Sequence, residues 1–418
     1  MGGIIMTAVR PPRPTIALVR ALCTILFVFT VGSAAAQPPD VPLDTGEAGR
    51  IRVGGELTAT YGSEDPGFFN YATYAYDPLR NVRVVFDASL QPFRQLEVLA
   101  QVRTDGVSQA RMAALYLRLR PWRTRDIDLQ AGRVPTAFGL FGRTAYGSDS
   151  ALVGRPLPYA YLLSLRRDAV PATTADLLRM RGRGWLSSFP RGSTTPDRGL
   201  PIVNTDTWDT GVQLRLANTR LAWVGAVTAG SLGSPRLEDD NRGRALSTRV
   251  TARLHPGLVI GLSGAQGAYL SRTLDSTLLA GESTGRLRHR AAGADVEFSA
   301  GRWLARGEII ASRWALPAFT GTTTTPDVTS LAAWGEGRVR LLPGLDLGLR
   351  LERLDFGDVA TPAGIQPWEA PVSRVETGVA FSPVRHARLK LAVQHNRRPL
   401  GGRVRRDTLV AAQVSVWF

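Results

Sequence analysis

The chain has 418 residues, a formal charge of +16, 44% hydrophobic residues, a mean hydropathy of −0.05 and one cysteine, Cys23. A disulfide framework is excluded, and past the first forty residues no stretch is apolar over the ~20 residues a membrane-spanning helix needs. Nearly every cation is arginine, Lys390 being the only lysine. That bias fits genomic base composition, so it is not read as a nucleic-acid signal.

Residues 1–36 read as a secretory signal. Arg10, Arg13 and Arg20 form a basic leader, Ala21 to Val31 is an apolar run, and Ala34-Ala35-Ala36 offers a small-residue cleavage site. Cleavage there would start the mature chain at Gln37, remove the only thiol and lower the charge to +13. Residues 37–49 form a short leader, too short to be the plug of an energy-coupled receptor.

From residue 50 to 418 the dominant signal is period-two alternation, with almost no helical period. Leu96, Val98, Ala100 and Val102 oppose Glu97, Leu99, Gln101 and Arg103. Leu389, Leu391 and Val393 oppose Arg388, Lys390, Ala392 and Gln394. Sixteen candidate strands begin near residues 51, 82, 96, 111, 126, 208, 219, 245, 257, 291, 302, 330, 345, 373, 387 and 408; a count of 14–18 is compatible with the pattern. The links after even-numbered strands are tight, such as His255-Pro256-Gly257 and Pro343-Gly344, and the others are expected to be long. The expectation is an all-β fold, a transmembrane antiparallel barrel with short turns on one side and long loops on the other. Only such closure pairs every backbone polar group in lipid. The last strand alternates Val410, Ala412, Val414, Val416 with Leu409, Ala411, Gln413, Ser415, and the chain ends on Phe418, as the closing strand of such a barrel does. Tyr61, Phe86, Trp223, Trp303, Phe381 and Trp417 are candidates for interfacial girdles.

Leu129 to Gly142, LQAGRVPTAFGLFG, resembles a segment common in bacterial outer-membrane porins, especially the phosphate-selective porin O and P-like group. Asp209-Thr210-Gly211, the strand Arg350 to Phe356 and the terminal Val414-Ser415-Val416-Trp417-Phe418 extend the resemblance over most of the chain. It implies a sixteen-stranded barrel, often trimeric, that passes small hydrophilic solutes and folds its third loop inward. The near absence of lysine means that a lysine ladder for phosphate is not carried over.

That third loop is the segment 134–207, too long for a structureless connection. It carries Arg143, Arg155, Arg166, Arg167, Arg179, Arg181, Arg183, Arg191 and Arg198 against Asp149, Asp168, Asp176, Asp197 and Asp206. Thr174 is a candidate cap for a short helix reaching Arg179. Either the loop enters the lumen and constricts it, or it lies over the mouth with its arginines on lipopolysaccharide phosphates. Parity adds inward rows of Arg103, Arg118, Arg120, Arg215, Arg249, Arg253, Arg306, Arg338, Arg340, Arg350, Arg388 and Lys390, with Glu97, Asp295, Glu297, Glu308, Glu336, Glu352 and Glu376. Arg118, Arg120, Arg350 and Glu352 join the first seven loop arginines as constriction and selectivity candidates. Many of these charges could equally serve as bridges bracing the wall.

No cysteine or histidine set has metal-ligand spacing, and no metal or cofactor is expected. His395 faces outward beside Thr408 on the next strand, without a serine or third member for hydrolysis, so no enzyme is expected. The expected function is an outer-membrane porin, a passive channel for small hydrophilic solutes that prefers anions by charge balance. Its rivals are a substrate-specific channel and a non-conducting structural or adhesive barrel. Expected partners are outer-membrane lipid and lipopolysaccharide, small hydrophilic or anionic solutes, the barrel-assembly machinery and a homotrimer, with no nucleic acid.

Overall fold

The computed structural model describes residues 50–70, 79–105, 110–122, 124–144, 148, 150–321, 326–361 and 364–418. The expected signal and leader segments, residues 1–49, therefore lie outside the described residues, as do the side chain of Arg143 and all of Asp149.

Sixteen antiparallel strands close into one barrel. They are β1 (Arg50–Gly62), β2 (Val82–Phe93), β3 (Leu96–Asp105), β4 (Arg111–Leu119), β5 (Asp126–Val134), β6 (Asp209–Ala217), β7 (Leu221–Thr228) and β8 (Ala245–His255). The second half comprises β9 (Leu258–Ala268), β10 (Arg288–Ala300), β11 (Trp303–Ala315), β12 (Asp327–Leu342), β13 (Leu345–Phe356), β14 (Val372–Val384), β15 (Ala387–Leu400) and β16 (Arg403–Trp417). Each strand pairs with its sequence neighbours, and β1 meets β16 from Glu56↔Trp417 to Gly62↔Ala411. At this seam the Gly55 and Phe418 backbones exchange hydrogen bonds of 3.2 and 3.1 Å.

The wall is inside out. Glu97, Arg118, Gln130, Arg249, Arg306, Arg350, Glu376 and Lys390 are buried, whereas Leu117, Val250, Leu262, Ile309, Leu349, Leu391 and Val410 are exposed. Apolar side chains outward and polar ones inward suit a barrel solvated by lipid. The exposed aromatics Phe93, Trp122, Trp223, Phe298, Trp303 and Phe381 gather at the turn end of their strands. The exposed Phe86 instead lies mid-strand, and Tyr61 stands at the loop end.

Two links depart from the expected alternation. Those after β3 and β15 are short although they lie on the loop side. At β15–β16, Gly401 and Gly402 have φ of 59° and 76°, the conformation of a two-residue turn that side-chain-bearing residues adopt at a cost. The arginine-rich run from residue 403 to 407 consequently continues the strand, which begins at Arg403 rather than near residue 408.

Candidate functional site

The segment between β5 and β6 is bonded to inward-facing side chains of the wall. Backbone N–H groups of Leu140, Gly154 and Leu157 donate to Glu308 (3.0 Å), Glu376 (2.7 Å) and Glu352 (2.5 Å). Arg350 donates to the Gly154 carbonyl (2.8 Å) and Arg374 to that of Arg155 (2.9 Å). The Tyr159 hydroxyl donates to Glu308 at 2.7 Å, and so does Trp334 Nε1 at 3.0 Å. Wall carboxylates thus satisfy loop N–H groups that have no ladder to join.

The same wall residues bond one another. Arg350 is fully buried and donates to Glu336 (3.2 Å), Glu352 (2.9 Å) and Glu376. Arg306 reaches Glu336 at 2.8 Å, and Arg374 lies 3.8 Å from Glu352. Two inward glycines make room for the loop: a Cβ on Gly348 or on Gly378 would stand 3.0 Å from Leu152 Cδ2.

Toward the loop end, the segment packs on the wall through an apolar cluster. Leu157, Tyr159, Tyr161, Leu163, Leu165, Ile202 and Val203 meet Ile310, Trp314, Trp334, Leu354 and Trp368. Burying each large apolar side chain contributes about 1.5–3 kcal/mol. Glu369, between β13 and β14, anchors this layer by accepting the Ser164 N–H at 2.9 Å and that of Gly182. Burial pushes its carboxyl up, against hydrogen bonds from Ser164, Ala370 and Gly182 that pull it down. The helix α1 (Leu157–Ala160) lies in the apolar layer, and α2 (Thr174–Arg179) sits farther along the loop. Its cap is Thr173, not Thr174: Thr173 Oγ1 accepts the Asp176 N–H at 3.1 Å while Asp176 accepts the Thr173 N–H at 3.0 Å. This reciprocal box fixes the helix start one residue earlier than the sequence reading placed it.

The opposite side of the lumen retains a cavity of about 100 Å³. Arg83, Arg103, Arg215 and Arg249 line it with Gln101, Gln130 and Gln213, and the loop contributes residues 135–139, Thr205, Asp206 and Trp208. Asp206 bridges Arg103 (2.7 Å) and Arg155 (2.5 Å). Burial pushes its carboxyl up, but Arg155, Arg103 and Arg83 outweigh burial and hold it well below the usual carboxylate range. Arg249 forms a fork with Asp295 at 2.5 and 2.8 Å, and Arg215 reaches Asp126 at 3.0 Å.

The sequence-selected residues therefore separate. Arg155 stands beside the cavity through Asp206. Arg350 and Glu352 are inside the buried network and do not line the cavity. Arg118 bonds Asp128 at 2.5 Å, and Arg120 lies 3.5 Å from the same carboxylate near the β4–β5 turn. Arg166 is buried and clamps the loop onto itself, bonding Asp168 (2.7 Å) and the Ser187 and Thr195 carbonyls (2.8 Å each). Arg167, Arg179 and Arg183 are exposed, and Arg181 donates to the Pro367 carbonyl at 3.1 Å. None of these last five lines the cavity, because the loop spends its interior on apolar side chains and turns most of its guanidiniums elsewhere. Arg83 and Arg374 were missed. Both faces of β2 carry apolar residues, so parity left Arg83 unassigned, whereas Arg374 shares parity with Glu376 and was legible.

No family model matches the chain, and no curated protein matches its sequence. Solved barrels do match in shape. An outer-membrane protein of Vibrio cholerae, OmpT with its eighth loop deleted, aligns with a TM-score of 0.54 at 12% identity over 89% of this chain and 100% of its own. The outer-membrane channel DcaP of Acinetobacter baumannii aligns at 0.53 and 11% identity, over 89% and 98%. An anion-selective porin of Comamonas acidovorans aligns at 0.52 and 9% identity, over 88% and 99%. At such identities the likeness is one of fold, and the chain has the sixteen-stranded barrel fold found in outer-membrane porins and channels.

Proposed function

We propose that the chain is an outer-membrane diffusion channel for small hydrophilic solutes with a preference for anions. The observation that carries this reading is the residual cavity, where four arginines meet a wall of glutamines and a loop that narrows the lumen. All four face carboxylates, Arg83 and Arg103 at Asp206, Arg215 at Asp126 and Arg249 at Asp295, so the preference is moderate rather than absolute. In a narrow wet site guanidinium groups attract anions over several ångströms, and salt screens that attraction with a Debye length of about 10 Å at 0.1 M. The barrels that share the fold, a porin and a channel among them, supply the class. Export by residues 1–36 and insertion by the barrel-assembly machinery complete the reading.

The test is the reversal potential in a salt gradient across a planar bilayer. Anion preference should fall as salt rises, and Arg83, Arg215 and Arg249 changed together to glutamine should move the potential toward cations. Arg179 and Arg183 changed to glutamine should leave it in place. Cation preference in the unmodified protein rejects the anion reading. The apolar layer at the loop end favours one alternative, a barrel that rests closed, and absence of current in the unmodified protein would select it.

A further inference from the structure

The two rims of the outer wall are finished differently. Aromatics crowd the turn end, whereas arginines stand at the loop end of β10 and β11. Arg290 and Arg313 are direct cross-strand partners, both exposed, one outward row above Ala292 and Ala311. Like charges placed opposite each other on a sheet repel. Arg313 is bonded to Asp327, and Arg290 has no side-chain partner among the described residues. Beneath them lies an open groove of about 610 Å³, lined by Ala292, Ala311, Thr329, Leu331 and Asp355. Alanines at the floor leave the depression that larger side chains would fill.

Height supports a lipid occupant. Arg290 is ten residues from Ala300, the turn end of β10. At a rise of ~3.4 Å per residue and a tilt of about 40°, that spans ~25 Å, the height of a barrel's apolar band. The arginine pair is consequently at headgroup level and the groove just below it, among acyl chains. Arg397 and Arg406, cross-strand partners on β15 and β16, are both exposed, and Arg397 stands the same ten residues from Ala387.

We propose that this groove binds a phosphate-bearing lipid of the outer leaflet, of the lipopolysaccharide class. The phosphate sits between the Arg290 and Arg313 guanidiniums, and an acyl chain lies along Ala292, Ala311 and Leu331. Charge complementarity selects this occupant over a second copy of the chain. The carboxylates beside the groove, Asp327 and Asp355, are already bonded to Arg313 and Arg353, so a copy of this face brings no spare carboxylate to Arg290. The site rests on the outer-membrane placement proposed above, and not on conduction.

The experiment measures binding of bis-phosphorylated lipid A to the full barrel in detergent by native mass spectrometry, with dephosphorylated lipid A and inorganic phosphate as separate probes. The double variant Arg290→Gln, Arg313→Gln should weaken binding tenfold or more. Ala311→Trp, which keeps the charges and fills the groove, should weaken it by a similar factor. Dephosphorylated lipid A should bind the unmodified protein at least tenfold more weakly, and inorganic phosphate should not compete at equal concentration. Heat-modifiable migration on a gel confirms that each variant is folded. Unchanged lipid affinity in both variants overturns the proposal, as does equal binding of the dephosphorylated lipid. Competition by inorganic phosphate overturns it in favour of a bare anion site. Variants that change subunit number without changing lipid binding overturn it in favour of a second copy. Bilayer current recorded on the same samples separates the two readings: lipid binding retained without any current supports this site while removing the diffusion reading.

Discussion

The two sides of the lumen use the same residue types to opposite ends. Along β11 to β14, Arg306, Glu336, Arg350, Glu352, Glu376 and Arg374 bond one another and the loop backbone. Along β2 to β8, Arg83, Arg103, Arg215 and Arg249 line an open cavity. The difference is where the loop is held. Glu336, Glu352 and Glu376 are balanced by Arg306, Arg350 and Arg374 and still accept two loop N–H groups, so the loop is drawn to that wall. On the other side its main charged anchor is Asp206, beside the open cavity. On the proposed reading, an inward arginine acts as a selectivity group only where the loop leaves it facing the cavity.

The largest test of this comparison is Arg350→Gln. It leaves Glu336, Glu352 and Glu376 without their shared cation in a buried setting, where loss of one partner costs about 3–5 kcal/mol. The barrel ladder remains, so the expected outcome is a lower thermal midpoint together with a larger and noisier single-channel current. Unchanged current with a lower midpoint would show that the loop is held by its apolar layer alone.

Asp206→Asn probes the wet side. Arg103 and Arg155 lose a carboxylate they share, at a cost of about 3 kcal/mol for a buried pair, and the cavity gains net positive charge. Reversal potential should shift toward anions, the reverse of the arginine variants. The sign with pH follows from the depressed carboxyl: its contribution to stability is present above its unfolded value near 3.8 and is lost as pH falls through the lower folded value. The difference between parent and variant should hence stay constant from pH 8 to pH 5. A difference that fades within that window would contradict the assignment.

The smallest effect is expected at the exposed end of the loop. Thr173→Ala removes the cap of α2, worth about 1 kcal/mol locally, and should speed amide exchange in residues 174–179 without changing conductance. A conductance change would extend the permeation path to that helix.

Much of the barrel was legible. Alternation such as Leu347, Leu349, Leu351 against Asp346, Arg350, Glu352 gave the strands because one face meets lipid and the other does not. Parity also put His395 beside Thr408, which lie 2.8 Å apart. The extension of β16 down to Arg403 was not legible, since four of the five residues 403–407 are charged and the run reads as a loop. The site was less readable still, because pairing between distant strands and loop depends on register and on the loop's path. Counting arginines in residues 134–207 drew attention to Arg179, Arg181 and Arg183. The informative signal was the apolar run from Leu157 to Leu165, which lies in the buried layer.

The seam between β1 and β16 sets the order in which the barrel can be completed. Every other wall pair joins strands adjacent in the sheet's chain order, but Glu56 meets Trp417 across nearly the whole sequence. Loop closure costs only ~0.6 kcal/mol for each doubling of length, yet until this contact forms both terminal strands keep unpaired N–H and C=O groups. A barrel sealed by its first and last strands exposes two sticky edges until those strands meet. Gly55, whose added Cβ would stand 2.9 Å from the Phe418 ring, shows how closely the two ends come together when that exposure ends.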